Sequence, residues 1–204
     1  MSGKIGTNYT ELSGQAARNG VAGLVGGGVG QDDRQSDVYI TGLFQGGLGM
    51  PDRDMYLVNE PNLVSPRAAY VDYLTNALAL LGEANAASRA RAVMDFETRI
   101  ARVSWTREDS GDATKIYNKM SVADLQKQAP GFDWATYLKT RGADVTNLIV
   151  AQPSAFKGIA ALANRAPLQV LKDQLLVRSL ETYADVLPSR ATDLVFAFYQ
   201  TKLN

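Results

Sequence analysis

The spacing of hydrophobic residues changes near residue 50 of the chain. Before that point the sequence is rich in glycine, and apolar and polar residues alternate weakly with the period of two that is typical of a β-strand. Two short extended segments are predicted, at about Leu24–Gly30 and Val38–Phe44, with the polar stretch Gln31–Asp37 as the connecting loop. Residues 24–47 are therefore predicted to form a β-hairpin.

From Pro51 onward the apolar residues recur at helical intervals, so residues 52–204 are predicted to be helical. Ser65 as an N-cap and Pro66 at the first helical position predict the start of a helix, and Gly82 predicts its end. A second amphipathic helix is predicted from about Ala86 to Arg107, where the stretch "REDSGDAT" breaks the pattern.

The remaining part of the chain predicts more helices and one short extended piece. A capping box of Ser121 and Asp124 opens a helix, Asp133 caps the next, and Ser189 caps the last. The other predicted segments are the helices Trp134–Arg141, Pro153–Ala163 and Leu168–Leu187 and an extended piece at Asn147–Val150. The fold class is mainly α, a multi-helix arrangement with a small β-hairpin near the N-terminus.

No internal repeat or linker divides the sequence, so residues 1–204 are predicted to be a single domain or part of one. The last helix reaches Asn204 without a closing glycine, which suggests an excerpt of a longer protein.

Composition excludes several classes of function. Lysine plus arginine and aspartate plus glutamate both number 21, so no net charge attracts nucleic acid. No apolar run reaches the roughly 18–20 residues of a membrane span. The sequence has no cysteine and no histidine, which rules out disulfides, thiolate nucleophiles, a Ser-His-Asp triad and zinc ligation by imidazole or thiolate.

Two glycine clusters, Gly26–Gly30 and Gly46–Gly49, raise the question of phosphate binding. Neither has the G-x-G-x-x-G or P-loop spacing, and the first is followed by Asp32 and Asp33, whose charge would repel phosphate. We interpret these glycines as sites of close backbone approach or positive φ.

Clustered aspartates raise the question of calcium binding. Asp32, Asp33 and Asp37 lack the central glycine and the flanking helices of a calcium loop, so a solvated turn is expected. Asp52 and Asp54 fit a turn or helix start that Pro51 begins.

No spacing singles out a catalytic pair of carboxylates. Glu97, Glu108 and Asp109 are interpreted as ordinary charges on a helix surface or a helix end. Most aromatic residues fall at helical intervals and are expected in the core: Tyr70, Tyr73, Phe96, Trp105, Phe132, Trp134, Phe196, Phe198 and Tyr199. No catalytic, cofactor-binding or metal-binding residue is predicted.

Several stretches, taken in order, resemble the M13 zinc metallopeptidases, the neprilysin-like and PepO-like enzymes. "QGGLGMPDRDMYL" is similar to the family string QGGLGLPDRDYYL, with Met50 and Met55 as departures. The stretches "ETRIARVSWTREDSGDATKIYNKMSVADL", "APGFDWATYL", "PLQVLKDQLLVRSLETYADVLP" and "DLVFAFYQTKL" resemble later family segments. The similarity covers roughly Gly20 to Leu203.

The resemblance implies a fragment of the amino-terminal, lid-like helical region of such an enzyme. The family's zinc site, an H-E-x-x-H helix with a downstream glutamate, and its Asn-Ala-Tyr substrate motif lie C-terminal to this region. Zinc is therefore implied only for the full-length enzyme, with no cofactor in this chain, and the chain as it stands is not expected to be an enzyme.

The implied role is to wall the cavity that encloses peptides, with the catalytic domain of the parent as partner and peptide substrates only in the full-length enzyme. An extracytoplasmic location, periplasmic or secreted, follows from the resemblance alone. The alternatives are a free-standing helical protein-binding module, a pseudo-protease, or an unrecognised enzyme that uses carboxylates. Self-association through exposed apolar surface is a further expectation.

Overall fold

The computed structural model describes residues 7–201 and residue 203. Within these residues the chain is mainly α-helical, as predicted, with four strands. In chain order the elements are α1 (Thr7–Arg18), β1 (Val25–Asp32), β2 (Gln35–Gln45), α2 (Asp54–Leu57), α3 (Pro61–Leu80), α4 (Ala86–Val103), α5 (Arg107–Gly111), β3 (Lys119–Ser121), α6 (Val122–Gln128), α7 (Trp134–Arg141), β4 (Asn147–Val150), α8 (Pro153–Arg165), α9 (Leu168–Tyr183), a 3₁₀ turn (Ala184–Val186) and α10 (Ser189–Tyr199).

The described residues form two compact units. The first unit contains the residues up to Gly47 together with Val103–Arg165, and the second contains Leu48–Arg102 together with the residues from Ala166 onward. Each unit thus joins two separate stretches of sequence. That residues 1–204 are a single domain or part of one stays a prediction.

The first unit contains a mixed sheet with the strand order β1-β2-β4-β3. The hairpin pairs β1 with β2 in antiparallel register from Val25 opposite Gln45, while β4 runs parallel to β2 and antiparallel to β3. The predicted hairpin is confirmed, but its predicted loop is too long, because only Asp33 and Arg34 form the turn. The extended piece at Asn147–Val150 is also confirmed.

The hairpin bends over one face of this sheet. Asp32 in β1 accepts hydrogen bonds from Tyr117 Oη at 2.7 Å and from Lys119 Nζ in β3 at 2.8 Å. Since β2 and β4 separate β1 from β3, a flat sheet would hold those strands roughly 14 Å apart, beyond the reach of a lysine side chain. The glycine-rich β1 permits the bend, because glycine adds no side chain to a curved strand.

The core of the first unit is aromatic. The buried rings of Phe132, Trp134 and Tyr137 contact one another, and the centroid of Trp134 lies 5.3 Å from that of Phe156 in α8. Helix α1, which the sequence did not predict, packs against α7. As predicted, Asp133 caps α7 by accepting a hydrogen bond from the Thr136 amide, and Ser121 caps α6.

The second unit is helical within its described residues. Tyr70 and Tyr73 of α3 stack with Phe198 of α10, at centroid distances of 5.3 Å and 4.8 Å. These rings belong to the core, as the sequence indicated. Phe196 does not, because its side chain is 63% exposed.

Several predicted helix ends are wrong. Helix α3 begins at Pro61, because the Glu60 carbonyl accepts the first amide hydrogen bonds, and Pro66 lies inside the helix. The predicted second helix stops at Val103. The stretch "REDSGDAT", which is predicted to break the helix, instead begins with α5, whose N-cap Thr106 accepts a hydrogen bond from the Asp109 amide.

Helix α9 ends at Tyr183 and passes into the 3₁₀ turn, short of the predicted Leu187. Ser189 is the first residue of α10 rather than its N-cap, which is Pro188. No helix of the described residues is both long and apolar enough to cross a membrane.

Candidate functional site

The second unit is organised around one buried carboxylate, that of Glu97 in α4. Its side chain has no solvent exposure. Its Oε2 atom accepts hydrogen bonds from the Gly49 amide at 3.0 Å and from two tyrosine hydroxyls, Tyr56 at 2.7 Å and Tyr70 at 3.0 Å. Its Oε1 atom accepts from Arg178 at 2.7 Å and from Gln174 at 3.1 Å, both in α9. Five donors therefore converge on one carboxylate.

Arg178 extends this network toward α10. Its Nη1 atom lies 2.7 Å from a carboxylate oxygen of Glu181, and its Nη2 atom donates to Tyr70 Oη as well as to Glu97. Tyr199 donates to Glu181 at 2.9 Å and lies 3.1 Å from the Gly49 carbonyl oxygen. We call Gly49, Tyr56, Tyr70, Glu97, Gln174, Arg178, Glu181 and Tyr199 the Glu97 cluster.

The tyrosines of the cluster remain protonated donors. Burial, reinforced by the nearby Glu97 charge, raises the pKa of the Tyr56 hydroxyl well above its usual value. Burial likewise raises the pKa of Tyr70. Both hydroxyls therefore keep their protons near neutral pH and can donate to Glu97.

The Glu97 cluster holds the segment Gly49–Leu57, which contains the second glycine, the proline and the two aspartates of "GLGMPDRDMYL". The Tyr56 hydroxyl is also 2.9 Å from the Gly49 and Met50 amides, and Arg53 donates to the Ala101 carbonyl at 3.0 Å. No buried side-chain nitrogen or oxygen of the described residues lacks a partner. A largely buried, fully satisfied network of this kind stiffens the structure around it.

The interpretation of Glu97 as a surface charge is wrong. A signal for its burial exists in the sequence, because Val93, Ile100 and Ala101 place it on the apolar face of α4. Arg178 lies among buried apolar residues of α9 in the same way. Opposite charges on two apolar helix faces favour a buried ion pair, since an isolated charge is too costly to bury.

The expectation of a solvated aspartate turn is wrong for Asp32, whose side chain is 1% exposed. Besides Tyr117 and Lys119, it accepts a hydrogen bond from the Arg34 amide at 3.0 Å, and the Arg34 guanidinium lies 4.1 Å from the centre of the Tyr117 ring. The hydrogen bond from Lys119, followed by those from Tyr117 and Arg34, lowers the pKa of Asp32 to about 2. Asp33 and Asp37 are exposed, as expected.

The first glycine cluster lies within a strand, and the second lies in the connection from β2 to α2. Gly26–Gly30 lie within β1, and a Cβ at Gly26 would collide with the Phe44 ring. A Cβ at Gly49 would lie 1.9 Å from Tyr70 Oη and 2.0 Å from Arg178 Nη2. Close packing explains both positions.

Comparison with known proteins identifies the larger context of these elements. A family profile described as "Peptidase family M13" matches residues 3–204. The chain belongs to peptidase family M13. The matching profile describes the amino-terminal region of M13 peptidases.

Curated M13 relatives include endothelin-converting enzymes. The chain is 36% identical over 134 residues to the endothelin-converting enzyme homolog of Locusta migratoria. These matched residues make up 65% of the chain and 18% of that protein. It is also 32% identical over 115 residues to human endothelin-converting enzyme 1, and that match makes up 55% of the chain and 15% of the human protein. The chain thus spans less than a fifth of the length of these two relatives.

Solved structures show the same fold. The zinc metalloprotease Zmp1 of Mycobacterium tuberculosis, in complex with an inhibitor, matches 95% of this chain with 30% of its own, at a TM-score of 0.87 and 27% identity. PepO of Lactobacillus rhamnosis, at 16% identity and a TM-score of 0.72, shares the fold.

The residues of this M13 chain do not fit a zinc ion such as the one for which the Mycobacterium tuberculosis zinc metalloprotease is named. The sequence has no histidine and no cysteine. Among the described residues, no group of three or more acidic side chains is arranged to hold a metal ion. Catalytic zinc sites are built on histidine, alone or with carboxylate or cysteine ligands. No step of a reaction is therefore assigned to a metal held by this chain.

Proposed function

We propose that these residues are the non-catalytic helical portion of a zinc metalloendopeptidase and that they wall the cavity in which the parent enzyme encloses peptides. The observation that carries this proposal is a match to an M13 profile across residues 3–204 in a sequence without histidine. The zinc ligands and the catalytic base of the parent would then come from residues outside this sequence.

The Glu97 cluster supports an architectural role. Most of its side chains are buried, and they are hydrogen-bonded to one another, so they stiffen the second unit instead of contacting a substrate. A cavity wall that limits the size of a peptide has to keep its shape when the peptide enters. A satisfied buried network supplies that rigidity.

Under this proposal the chain's partner is the catalytic domain of the same protein, and peptides are substrates only of the complete enzyme. An extracytoplasmic location belongs to the same proposal. The isolated chain has neither peptidase activity nor stoichiometric zinc.

The test has two arms. The purified 204-residue chain is assayed for zinc by mass spectrometry and for cleavage of an internally quenched peptide, and neither is expected. In the second arm the chain replaces the matched region of the Mycobacterium tuberculosis zinc metalloprotease. The chimera is expected to keep zinc-dependent cleavage while the longest peptide that it accepts changes.

Chelator-sensitive cleavage by the isolated chain would overturn the first arm. An unchanged length preference in a folded, active chimera would overturn the wall role. The remainder of the parent enzyme, produced without these 204 residues, is assayed for zinc in the same way and serves as the matched control.

A free-standing binding module is the second candidate, and in that case exposed apolar side chains would form its binding surface. Val186 is 80% exposed, and Phe196 and Leu187 are also exposed on the second unit. Light scattering and a thermal melt distinguish the two candidates. A monomer with a cooperative transition favours the module, whereas aggregation favours a part that needs the rest of its protein.

A further inference from the structure

A groove of about 500 Å³ lies in the first unit, next to the part of β2 that extends beyond β4. Its volume is within the range of small-molecule and peptide-side-chain sites. The groove is formed by the hairpin, by Lys119 and by the loop that leads from α7 into β4. Its lining residues are Val29, 38–41, Lys119 and 142–147.

The main chain of β2 faces this groove at Tyr39. The Leu43 carbonyl accepts a hydrogen bond from the Ala151 amide, and the Gln45 amide donates to Gln152 Oε1, so these residues point toward the β4 side of the strand. Alternate residues of a strand point their N–H and C=O groups to the same edge, so Tyr39 also points to that side.

No strand of the described residues continues the ladder there. The pairing of β2 with β4 stops where Thr41 lies opposite Leu148. The amide and carbonyl of Tyr39 therefore lie at an open strand edge, which is a template for pairing with another extended chain.

Side chains beside this edge suit a peptide. Val29 and Tyr39 are 68% and 72% exposed and lie on the same face of the hairpin, because Val29 is opposite Thr41 and Gln31 is opposite Tyr39. The groove contains one basic and one acidic residue, Lys119 and Asp144, and Lys119 is paired with Asp32. This balanced lining favours a peptide main chain over a phosphate or another strongly charged ligand.

The shape of the groove favours one strand over a second copy of this chain. Residues of the hairpin and of the loop 142–147 line the same groove, so the open edge at Tyr39 lies in a concave space and not on a flat sheet edge. Pairing of two sheet edges needs a flat, accessible edge on both copies.

We propose that this groove binds an extended peptide, which adds as a strand to β2 at Tyr39, with its side chains against Val29 and Tyr39. The inference rests on the proposed function for the source of the peptide, namely the substrates that the parent encloses. It gives the first unit a peptide-docking site formed by its own residues.

The test uses the nitrogen-15-labelled 204-residue chain and the blocked pentapeptide acetyl-Lys-Val-Thr-Val-Lys-amide, followed by NMR. Amide shifts are expected at Tyr39, Thr41 and residues 142–147. The same peptide N-methylated at both valines cannot donate along one edge and is expected to bind at least about tenfold more weakly. Equal binding of the methylated peptide, or shifts elsewhere, would overturn the inference.

Two matched variants test the location. Thr146→Trp changes an exposed residue that lines the groove and is expected to weaken binding about tenfold or more. Thr201→Trp changes an exposed residue outside the lining and is expected to leave the affinity unchanged. Equal affinities of the two variants would remove the groove as the site.

Other occupants would appear as distinct results. Concentration-dependent shifts at the groove without peptide would assign it to a second copy and overturn the proposal. If the peptide shifts the groove amides in the isolated chain but not in the full-length parent, another segment of the parent fills the groove, and the proposal is overturned. None of these readouts needs zinc or cleavage, so a negative result leaves the proposed wall role standing, and failure of the chimera leaves peptide binding measurable.

Discussion

The Glu97 carboxylate and the Arg178 guanidinium form an ion pair of 2.7 Å in which both side chains are almost completely shielded from solvent. The two residues are separated by 81 positions in the sequence and join α4 to α9 within the second unit. The Gly49 amide donates to the same carboxylate, so this pair also anchors the loop that carries the most recognisable M13 string.

Glu97→Gln is expected to destabilise the chain by about 2–4 kcal/mol, because it removes one of the two carboxylates paired with the buried Arg178 and weakens the hydrogen bonds that the Glu97 carboxylate accepts. Urea unfolding followed by far-ultraviolet circular dichroism measures the loss. Asp95→Asn is the control, since Asp95 is an exposed carboxylate on the same helix and should change stability by less than about 0.5 kcal/mol. Equal unfolding midpoints for the two variants would show that the pair contributes nothing.

Arg178→Lys is not a conservative change at this position. The guanidinium contacts Glu97, Glu181 and Tyr70 with two different nitrogens, and one ammonium cannot reproduce that fork. A loss of about 2–4 kcal/mol in unfolding free energy is expected from the unsatisfied partners. The exposed Arg190→Lys provides the control and should unfold like the unmodified chain. A stability of Arg178→Lys within error of that control would contradict the prediction.

Gly49→Ala and Gly42→Ala test which glycines of "GLFQGGLG" are required. A methyl group at Gly49 would collide with Tyr70 and Arg178, so overpacking of about 1–3 kcal/mol is expected. A methyl group at Gly42 would meet no atom within 4 Å, so a change below about 0.5 kcal/mol is expected. Parallel urea titrations of the two variants measure the difference, and the reverse order of stability would refute the packing explanation.

Local patterns in the sequence predicted most of the elements, because their causes are local. The capping residues Asp133 and Ser121 and the alternation around Val38 determine their own surroundings, and each prediction is confirmed. The family assignment, which depends on the order of several such strings, is confirmed as well.

The missed features depend on contacts between residues distant in sequence. Glu97 is buried because Arg178 approaches from α9, and Asp32 is buried because the hairpin bends toward Lys119. Helix α3 is an exception, because its early start has a local signal in Pro61 at the first helical position. The groove at Tyr39 likewise follows from where the β4 ladder stops, which the sequence of β2 does not encode.

Asp32→Asn is expected to change the acid response of the first unit. The pKa of Asp32 is lowered from 3.8 to about 2, first by the hydrogen bond from Lys119 and then by those from Tyr117 and Arg34. A carboxyl group with a lowered folded-state pKa stabilises the fold above its unfolded-state pKa, and this contribution disappears as the pH falls through the folded-state value. The Asp32→Asn variant should therefore be less stable at pH 7 and should approach the unmodified chain between about pH 4 and pH 2.

Tryptophan fluorescence suits this measurement, because both tryptophans of the sequence, Trp105 and Trp134, lie in the first unit with Asp32. Urea midpoints are collected from pH 7 to pH 2 for both proteins and for Asp33→Asn, which changes the exposed neighbouring carboxylate. The Asp33→Asn curve should follow that of the unmodified chain. A constant difference between Asp32→Asn and the unmodified chain across that range would mean that Lys119 and Tyr117 hold the hairpin without help from the charge of Asp32.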